Sequence, residues 1–149
     1  MGTVDIDELN KIAKTVRNAL DIERKKGTFG YIPNYPAGLC GYASYALGYV
    51  LHEMYPDKDI YQVGGDRNGG HHSWVEYDCW IIDITADQFK DSENSIVIEK
   101  PGQSKLHNTF KGIDRVVITG DEGKVKGEIA LINHVEKMLN ETGSWIKRG

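Results

Sequence analysis

The chain has 149 residues, of which 40% are hydrophobic and 27% are charged, and its formal net charge is −4. A chain of this length builds one hydrophobic core, so we expect a single domain over residues 1–149. The acidic balance argues against a nucleic-acid partner, which favours a basic surface. No stretch approaches the roughly 18 apolar residues of a membrane-spanning helix, so no membrane partner is expected.

The hydrophobic pattern predicts helices first and strands afterwards. Apolar residues recur at helical spacing over residues 5–26 and 40–54, separated by a loop rich in glycine and proline. Short runs rich in β-branched and aromatic residues predict strands at residues 60–63, 72–77, 80–85, 95–99 and 115–119. A last helix is predicted over residues 128–139, followed by a loose tail over residues 142–149. This order predicts an α+β fold in which an antiparallel sheet packs against the second helix.

The glycine-rich segment at residues 64–70 does not match a nucleotide-binding loop. No Gly-Lys-Ser/Thr follows its glycines, and the G-x-G-x-x-G order is absent. The sequence instead predicts a flexible connection between two strands of a hairpin.

The two cysteines, Cys40 and Cys79, indicate where the protein resides and what its thiols do. Residues 1–14 contain acidic side chains and no apolar run, so a secretory signal is not expected. Thiols without such a signal indicate a reducing compartment, and we expect a cytoplasmic protein. Each cysteine is then a small buried apolar residue, a metal ligand or a nucleophile.

Cys40 stands at the predicted start of the second helix. The unpaired N–H groups and the positive end of the helix dipole stabilise a thiolate at such a position. It precedes Ala43 by three residues and Leu47 by seven, so its side chain extends the core-facing stripe into the groove between helix and sheet. The alternative interpretation is a buried structural cysteine.

The strands at residues 72–77 and 80–85 predict the partner of this thiol. If Asp78 and Cys79 form a two-residue turn, the strand faces sort into one almost wholly apolar set: Val75, Tyr77, Trp80, Ile82 and Ile84. The opposite face then collects His72, Trp74, Glu76, Ile81, Asp83 and Thr85. On that face His72 and Asp83 are diagonal neighbours about 7–8 Å apart, within reach of one hydrogen bond.

A His–Asp pair facing a helix-start cysteine suits nucleophilic thiol catalysis. Taken singly, His72 is better interpreted as a surface or satisfied core histidine, and Asp83 as a strand-end or turn carboxylate. His71 competes for the role of base, but it falls on the apolar face. A zinc site built from the two histidines, Cys79 and Asp83 matches no common ligand spacing, so neither a metal nor another cofactor is expected.

Three segments carry a family resemblance: Gly-Leu-Cys-Gly-Tyr-Ala-Ser at residues 38–44, His-Ser-Trp-Val-Glu at 72–76, and Trp-Ile-Ile-Asp-Ile-Thr at 80–85, followed by Gln88 and Phe89. Over residues 34–89 the chain resembles the papain-like/transglutaminase-like superfamily of cysteine-nucleophile enzymes. The resemblance implies a papain-like/transglutaminase-like core in which Cys40 is the nucleophile, His72 the general base and acid, and Asp83 the orienting group.

Two further residues are candidates for the substrate side of the site. The resemblance places an oxyanion-hole donor six residues before the cysteine, which is Asn34 here, beside the backbone N–H of Cys40. The alternative for Asn34 is an ordinary turn residue between two prolines. Trp74 shares the face of the His–Asp pair, where it either lines the acyl pocket or stiffens the sheet.

The expected function is a cysteine-dependent hydrolase that cleaves an amide through a thioester, of peptidase or glutamine-deamidase type. Its expected partner is a protein or peptide substrate. Two alternatives stay open, namely a transglutaminase-type acyltransferase and a non-catalytic binding module on the same fold. The sequence does not indicate the oligomeric state.

Overall fold

The computed structural model describes residues 5–143. Within them lie three α-helices, namely α1 (Ile6–Lys25), α2 (Cys40–Met54) and α3 (Lys126–Glu141). The strands are β1 (Ile60–Arg67), β2 (Gly70–Tyr77), β3 (Trp80–Asp83), β4 (Val97–Glu99) and β5 (Lys111–Val117). Two single-turn 3₁₀ helices span Ala86–Gln88 and His107–Thr109. The strands form one antiparallel sheet in the order β4-β3-β2-β1-β5, which confirms the predicted α+β class.

The central helix, α2, lies between the sheet and the other two helices. It contacts β1 and β2 on one side and α1 and α3 on the other. Buried residues therefore occur on nearly all faces of α2, as expected for a helix that is enclosed by neighbouring elements. By contrast, α1 is amphipathic and is capped by Asp5, whose side chain accepts a hydrogen bond from the backbone N–H of Asp7 at 2.9 Å.

Both faces of the sheet are covered by apolar side chains. Val75, Tyr77 and Ile82 pack with the helices, as the predicted apolar face requires. The opposite face carries a second, smaller cluster of buried residues, namely Val63, Trp74, Ile81, Ala86, Leu106 and Phe110. This second cluster covers the polar residues of that face and separates them from water. Burial of each large apolar side chain in the cluster also stabilises the fold by about 1.5–3 kcal/mol.

The hairpin predicted around residues 64–70 is present, since β1 pairs antiparallel with β2, but its connection is much shorter than predicted. Gly64 and Gly65 belong to β1, and only Asn68 and Gly69 form the turn, both with positive φ (52° and 79°). A Cβ on Gly64 would lie 2.7 Å from the His71 ring, so glycine is needed for that ring to pack against β1. Glycine here serves close approach within a strand rather than flexibility.

Other predicted boundaries move by a few residues. β3 ends at Asp83 rather than at residue 85, β5 begins four residues earlier than predicted, and α3 is longer at both ends. Most of the tail predicted for residues 142–149 lies outside the described residues. Within the described part of the chain, none of the helices combines the length and apolar character needed to cross a membrane.

Candidate functional site

The β2–β3 hairpin has the predicted register. Tyr77 pairs with Trp80 and Val75 with Ile82, across a turn formed by Asp78 and Cys79. Both turn residues have positive φ (46° and 63°), the conformation of a type I′ turn that matches the twist of the strands. This register fixes which residues of the hairpin share a face.

The predicted hydrogen bond between His72 and Asp83 is present. Nε2 of His72 lies 2.7 Å from Oδ2 of Asp83, and the two residues are 0% and 1% exposed. The other carboxylate oxygen, Oδ1, accepts a hydrogen bond from the backbone N–H of Thr85 at 2.9 Å. The pair is therefore an internal hydrogen-bonded unit rather than a surface contact.

A second histidine, His107, completes the surroundings of Asp83. Its Nε2 lies 2.7 Å from the same Oδ2, and its Nδ1 lies 2.6 Å from the hydroxyl oxygen of Ser104. Burial alone raises the pKa of Asp83, but the hydrogen bonds from His107 and His72 outweigh burial and hold that pKa well below its usual range. Asp83 is therefore an ionised carboxylate at neutral pH.

Cys40 is the first residue of α2, half-buried and free of any disulfide. Pairing between β2 and β3 extends only as far as Val75 and Ile82, so the amide of Ser73 on that edge of β2 has no strand partner. The amide is instead close enough to the Cys40 thiol to help lower its pKa. Burial raises the pKa of the Cys40 thiol, but the interaction with His72 and this amide together bring the pKa below its usual value.

His72 lies between the carboxylate and the thiol. Because Nε2 binds Asp83, Nδ1 is the ring nitrogen left for Cys40. Burial lowers the pKa of His72, but Asp83 first and Cys40 second outweigh burial and raise it above its usual value. Nδ1 nevertheless meets no partner at ordinary hydrogen-bond geometry among residues 5–143, so the thiol is near the ring without a closed hydrogen bond.

Aromatic side chains enclose the imidazole of His72. Phe89 meets it edge-on with ring centroids 4.8 Å apart, and Phe110 stacks on it at 5.6 Å. The guanidinium of Arg67 lies over both phenyl rings, 5.3 Å and 5.9 Å from their centroids. These contacts fix the ring plane and exclude water from the His72–Asp83 hydrogen bond.

Trp74 lies beside the imidazole, with its ring centroid 5.9 Å from that of His72 and 4.8 Å from that of His107. It is 2% exposed, and its Nε1 donates to Glu76 at 3.4 Å. It borders a cavity of about 250 Å³, to which His107, Phe110 and Arg115 also contribute. Trp74 thus contacts the histidines, and its role in an acyl pocket stays a prediction.

Asn34 lies in the turn at residues 33–38, where its carbonyl oxygen accepts a hydrogen bond from the backbone N–H of Ala37 at 2.9 Å. Its side chain is exposed and makes no hydrogen bond within the described part of the chain, so its role as an oxyanion donor stays a prediction. The start of α2 has Leu39 at the cap position and no side-chain cap. The backbone N–H of Cys40 at that end is a suitable oxyanion donor.

One cluster of residues has the donor types of a metal site, namely His72, Asp83 and His107, whose donor atoms all lie within 4.8 Å of one another. The two Nε2–Oδ2 distances of 2.7 Å are those of hydrogen bonds. Zinc at about 2.0–2.1 Å from each donor would need them about 3.3 Å apart in a tetrahedral site. The distances among His72, Asp83 and His107 are therefore those of a hydrogen-bonded cluster rather than of a metal site. His71 and Cys79 of the zinc alternative are both exposed and lie outside this cluster.

Sequence reasoning missed His107 and Ser104. They belong to a segment between β4 and β5 that has neither helical nor strand periodicity, so no pattern placed them on a face of the sheet. The only signal is the spacing of Ser104 and His107, which suits a serine–histidine contact within one turn. That spacing does not reveal that the pair packs against Asp83.

Comparisons with models of protein families, with curated proteins and with solved structures find no match to this chain. The chemistry of the site is therefore interpreted from its own geometry.

Proposed function

We propose that this protein is a cysteine-dependent hydrolase that cleaves an amide through a thioester, with the core and the chain order of the papain-like/transglutaminase-like superfamily. Cys40 is the nucleophile, His72 the general base and acid, and Asp83 the residue that orients the imidazole. One observation carries the proposal: the buried His72 ring hydrogen-bonds Asp83 through Nε2 at 2.7 Å, while its interaction with Cys40 lowers the thiol pKa.

The reaction begins with the transfer of the thiol proton to Nδ1 of His72. The Cys40 thiolate attacks the amide carbonyl carbon, and the carbonyl oxygen becomes an oxyanion near the N–H of Cys40 at the start of α2. Asn34 is the proposed second donor to that oxyanion. When the tetrahedral intermediate collapses, the C–N bond breaks and the nitrogen leaves with the proton from Nδ1, so a thioester on Cys40 remains.

The second half of the reaction uses the same groups in reverse. Neutral His72 accepts a proton from water, and the resulting hydroxide attacks the thioester carbonyl carbon. The C–S bond breaks, the product leaves as a carboxylic acid, and the proton returns from Nδ1 to the sulfur. Asp83 accepts the Nε2–H hydrogen bond throughout, which leaves only Nδ1 to exchange protons.

The substrate class follows from this chemistry. Both a peptide bond and the side-chain amide of glutamine present the required carbonyl group, so a protein or peptide substrate fits the proposal. An amine in place of water would make the same thioester the intermediate of a transglutaminase reaction. Whether the reaction is hydrolysis or acyl transfer depends on whether water or an amine attacks the thioester, and the rates of the two reactions can be measured.

The test incubates the protein with glutamine-containing peptides, with and without a labelled primary amine. Ammonia release or peptide cleavage that disappears in Cys40→Ala and persists in Cys79→Ser supports the hydrolase. Amine incorporation faster than hydrolysis moves the assignment to the acyltransferase. Cys40→Ala activity equal to that of the wild type contradicts both enzymes, whereas peptide binding by the wild type without any turnover favours a binding module.

A further inference from the structure

Asp83 is held by two imidazoles rather than by one. Its Oδ2 lies 2.7 Å from Nε2 of His72 and 2.7 Å from Nε2 of His107. An ionised carboxylate only accepts hydrogen bonds, so both Nε2 atoms carry hydrogen. With the Thr85 amide on Oδ1, donors on three sides determine the plane of the carboxylate. A single donor on Oδ2 would leave that plane less constrained.

Ser104 supports the tautomer of His107 that the hydrogen bond to Asp83 requires. The tautomer of His107 with hydrogen on Nε2 has its acceptor at Nδ1, and the Ser104 hydroxyl at 2.6 Å is placed to donate to it. The same hydroxyl oxygen accepts the backbone N–H of His107 at 3.3 Å. Ser104 is 0% exposed and His107 is 5% exposed, which removes this contact from solvent. The hydrogen-bond chain therefore runs in one direction, from Ser104 through His107 to Asp83.

We propose that His107 is a positioning residue of the thiol site. It holds the Asp83 carboxylate so that Oδ2 faces His72 during both proton transfers, and Ser104 supports the tautomer that makes this possible. The inference rests on the proposed function of Cys40. The side-chain hydrogen bonds of His107 go to Asp83 and Ser104 rather than to the thiol, so it acts on His72 through Asp83.

Removal of His107 has a consequence of definite sign. Burial raises the pKa of Asp83, and among the contacts that lower it the hydrogen bond from His107 contributes most. Without that bond the buried carboxyl group moves towards its neutral form and stabilises the His72 imidazolium less. The thiolate of Cys40 then forms only at higher pH. A residue that merely fills space would not shift this titration.

The experiment follows the rate of Cys40 alkylation by iodoacetamide between about pH 4 and pH 10, in a Cys79→Ser background. His107→Leu should shift the acid limb of the profile upward by about one pH unit. His107→Gln, which retains an N–H donor, should restore most of the wild-type profile. Ser104→Ala should shift it in the same direction by less. The matched control His71→Leu, an exposed histidine, should leave it unchanged.

Several outcomes overturn the inference. A folded His107→Leu protein with an unmoved acid limb does so, as does an equal shift in His107→Gln or in the His71 control. Circular dichroism establishes folding. If His107→Leu does not fold, Ser104→Ala decides, and an unmoved limb there overturns the proposal. Wild-type Cys40 that gains reactivity only near the ordinary thiol pKa of about 8.5 contradicts the proposed function itself instead.

Discussion

Arg17 of α1 donates a hydrogen bond from Nη1 to the carbonyl oxygen of Ile84 at 2.8 Å, one residue beyond Asp83. The same guanidinium forms a bidentate ion pair with Asp87 at 2.7 and 2.9 Å. Arg17 thus joins the first helix to the segment that leaves β3, at the point where the sheet presents its buried carboxylate. The Arg17 side chain therefore links α1 directly to the residues that follow Asp83.

Arg17→Lys should lower the free energy of unfolding by about 1–3 kcal/mol, because a lysine cannot make the bidentate pair and the carbonyl contact together. Urea denaturation at pH 7 measures the change. Lys14→Ala, at an exposed position of the same helix, is the control and should stay within about 0.5 kcal/mol of the wild type. Equal effects of the two substitutions would contradict the proposed connection.

Cys40 should alkylate faster than Cys79 at about pH 6, because the interaction with His72 keeps its pKa below the usual value while Cys79 is exposed in a turn. Mass spectrometry of each labelled peptide measures the two rates in the same sample. Labelling that is equal at both positions and rises only above about pH 8 would remove the case for Cys40 as nucleophile.

Asp83→Asn should cost about 3 kcal/mol of unfolding free energy at pH 7, since two buried N–H donors lose their ionised acceptor. The folded-state pKa of Asp83 is depressed to about 2, against about 3.9 in the unfolded chain. Its contribution is therefore complete above about pH 3.9 and is lost as the pH falls towards 2.

Unfolding curves of the wild type and Asp83→Asn should accordingly converge between about pH 4 and pH 2. The exposed Asp57→Asn substitution serves as a control and should change the free energy by no more than about 0.5 kcal/mol. A gap between wild type and Asp83→Asn that stays constant over this interval would show that Asp83 is not held ionised by its partners.

Prolonged treatment with EDTA should leave the alkylation rate of Cys40 unchanged, because the 2.7 Å contacts of Asp83 with His72 and His107 are hydrogen bonds. Elemental analysis of the purified protein provides an independent reading. A stoichiometric metal, or a reactivity lost with EDTA and restored by Zn²⁺, would mean that these three residues bind an ion.

Gly48→Ala should destabilise the protein by about 1–3 kcal/mol through overpacking, because its new Cβ would lie 2.1 Å from Cδ1 of Ile118. Ile118→Val deletes that atom. In the Ile118→Val background, Gly48→Ala should be neutral or stabilising by up to about 1 kcal/mol, since alanine is the better helix former. A double-mutant cycle measures this coupling, and an identical cost in both backgrounds would exclude the contact as its cause.

The sequence was informative wherever periodicity determines geometry. Strand alternation predicted the hairpin register and, with it, the hydrogen bond between His72 and Asp83. Helical spacing predicted that α2 begins at Cys40. Patterns of this kind report which face a residue occupies, because a one-residue slip would mix apolar and polar sets.

The remaining features depend on contacts that periodicity does not encode. Gly64 was predicted to lie in a loop because glycine is typical of loops, but it is a strand residue against which the His71 ring packs. His107 reaches Asp83 from a single 3₁₀ turn 24 residues further along the chain. Both features depend on which side chains meet once the strands have paired, so hydrophobic periodicity alone does not predict them.

The length of β3 determines where a reactive group can enter the sheet. Because β3 ends at Asp83, the backbone of β2 at Ser73 has no residue of β3 to pair with, although β2 is an interior strand of the sheet. Continued pairing would place Ile84 opposite Ser73 and would occupy the amide that now faces Cys40. A short unpaired stretch within a sheet leaves backbone N–H groups available, but it is too short an edge for another chain to pair with. Two additional ladder pairs would occupy the Ser73 amide within the sheet and leave no backbone donor there for Cys40.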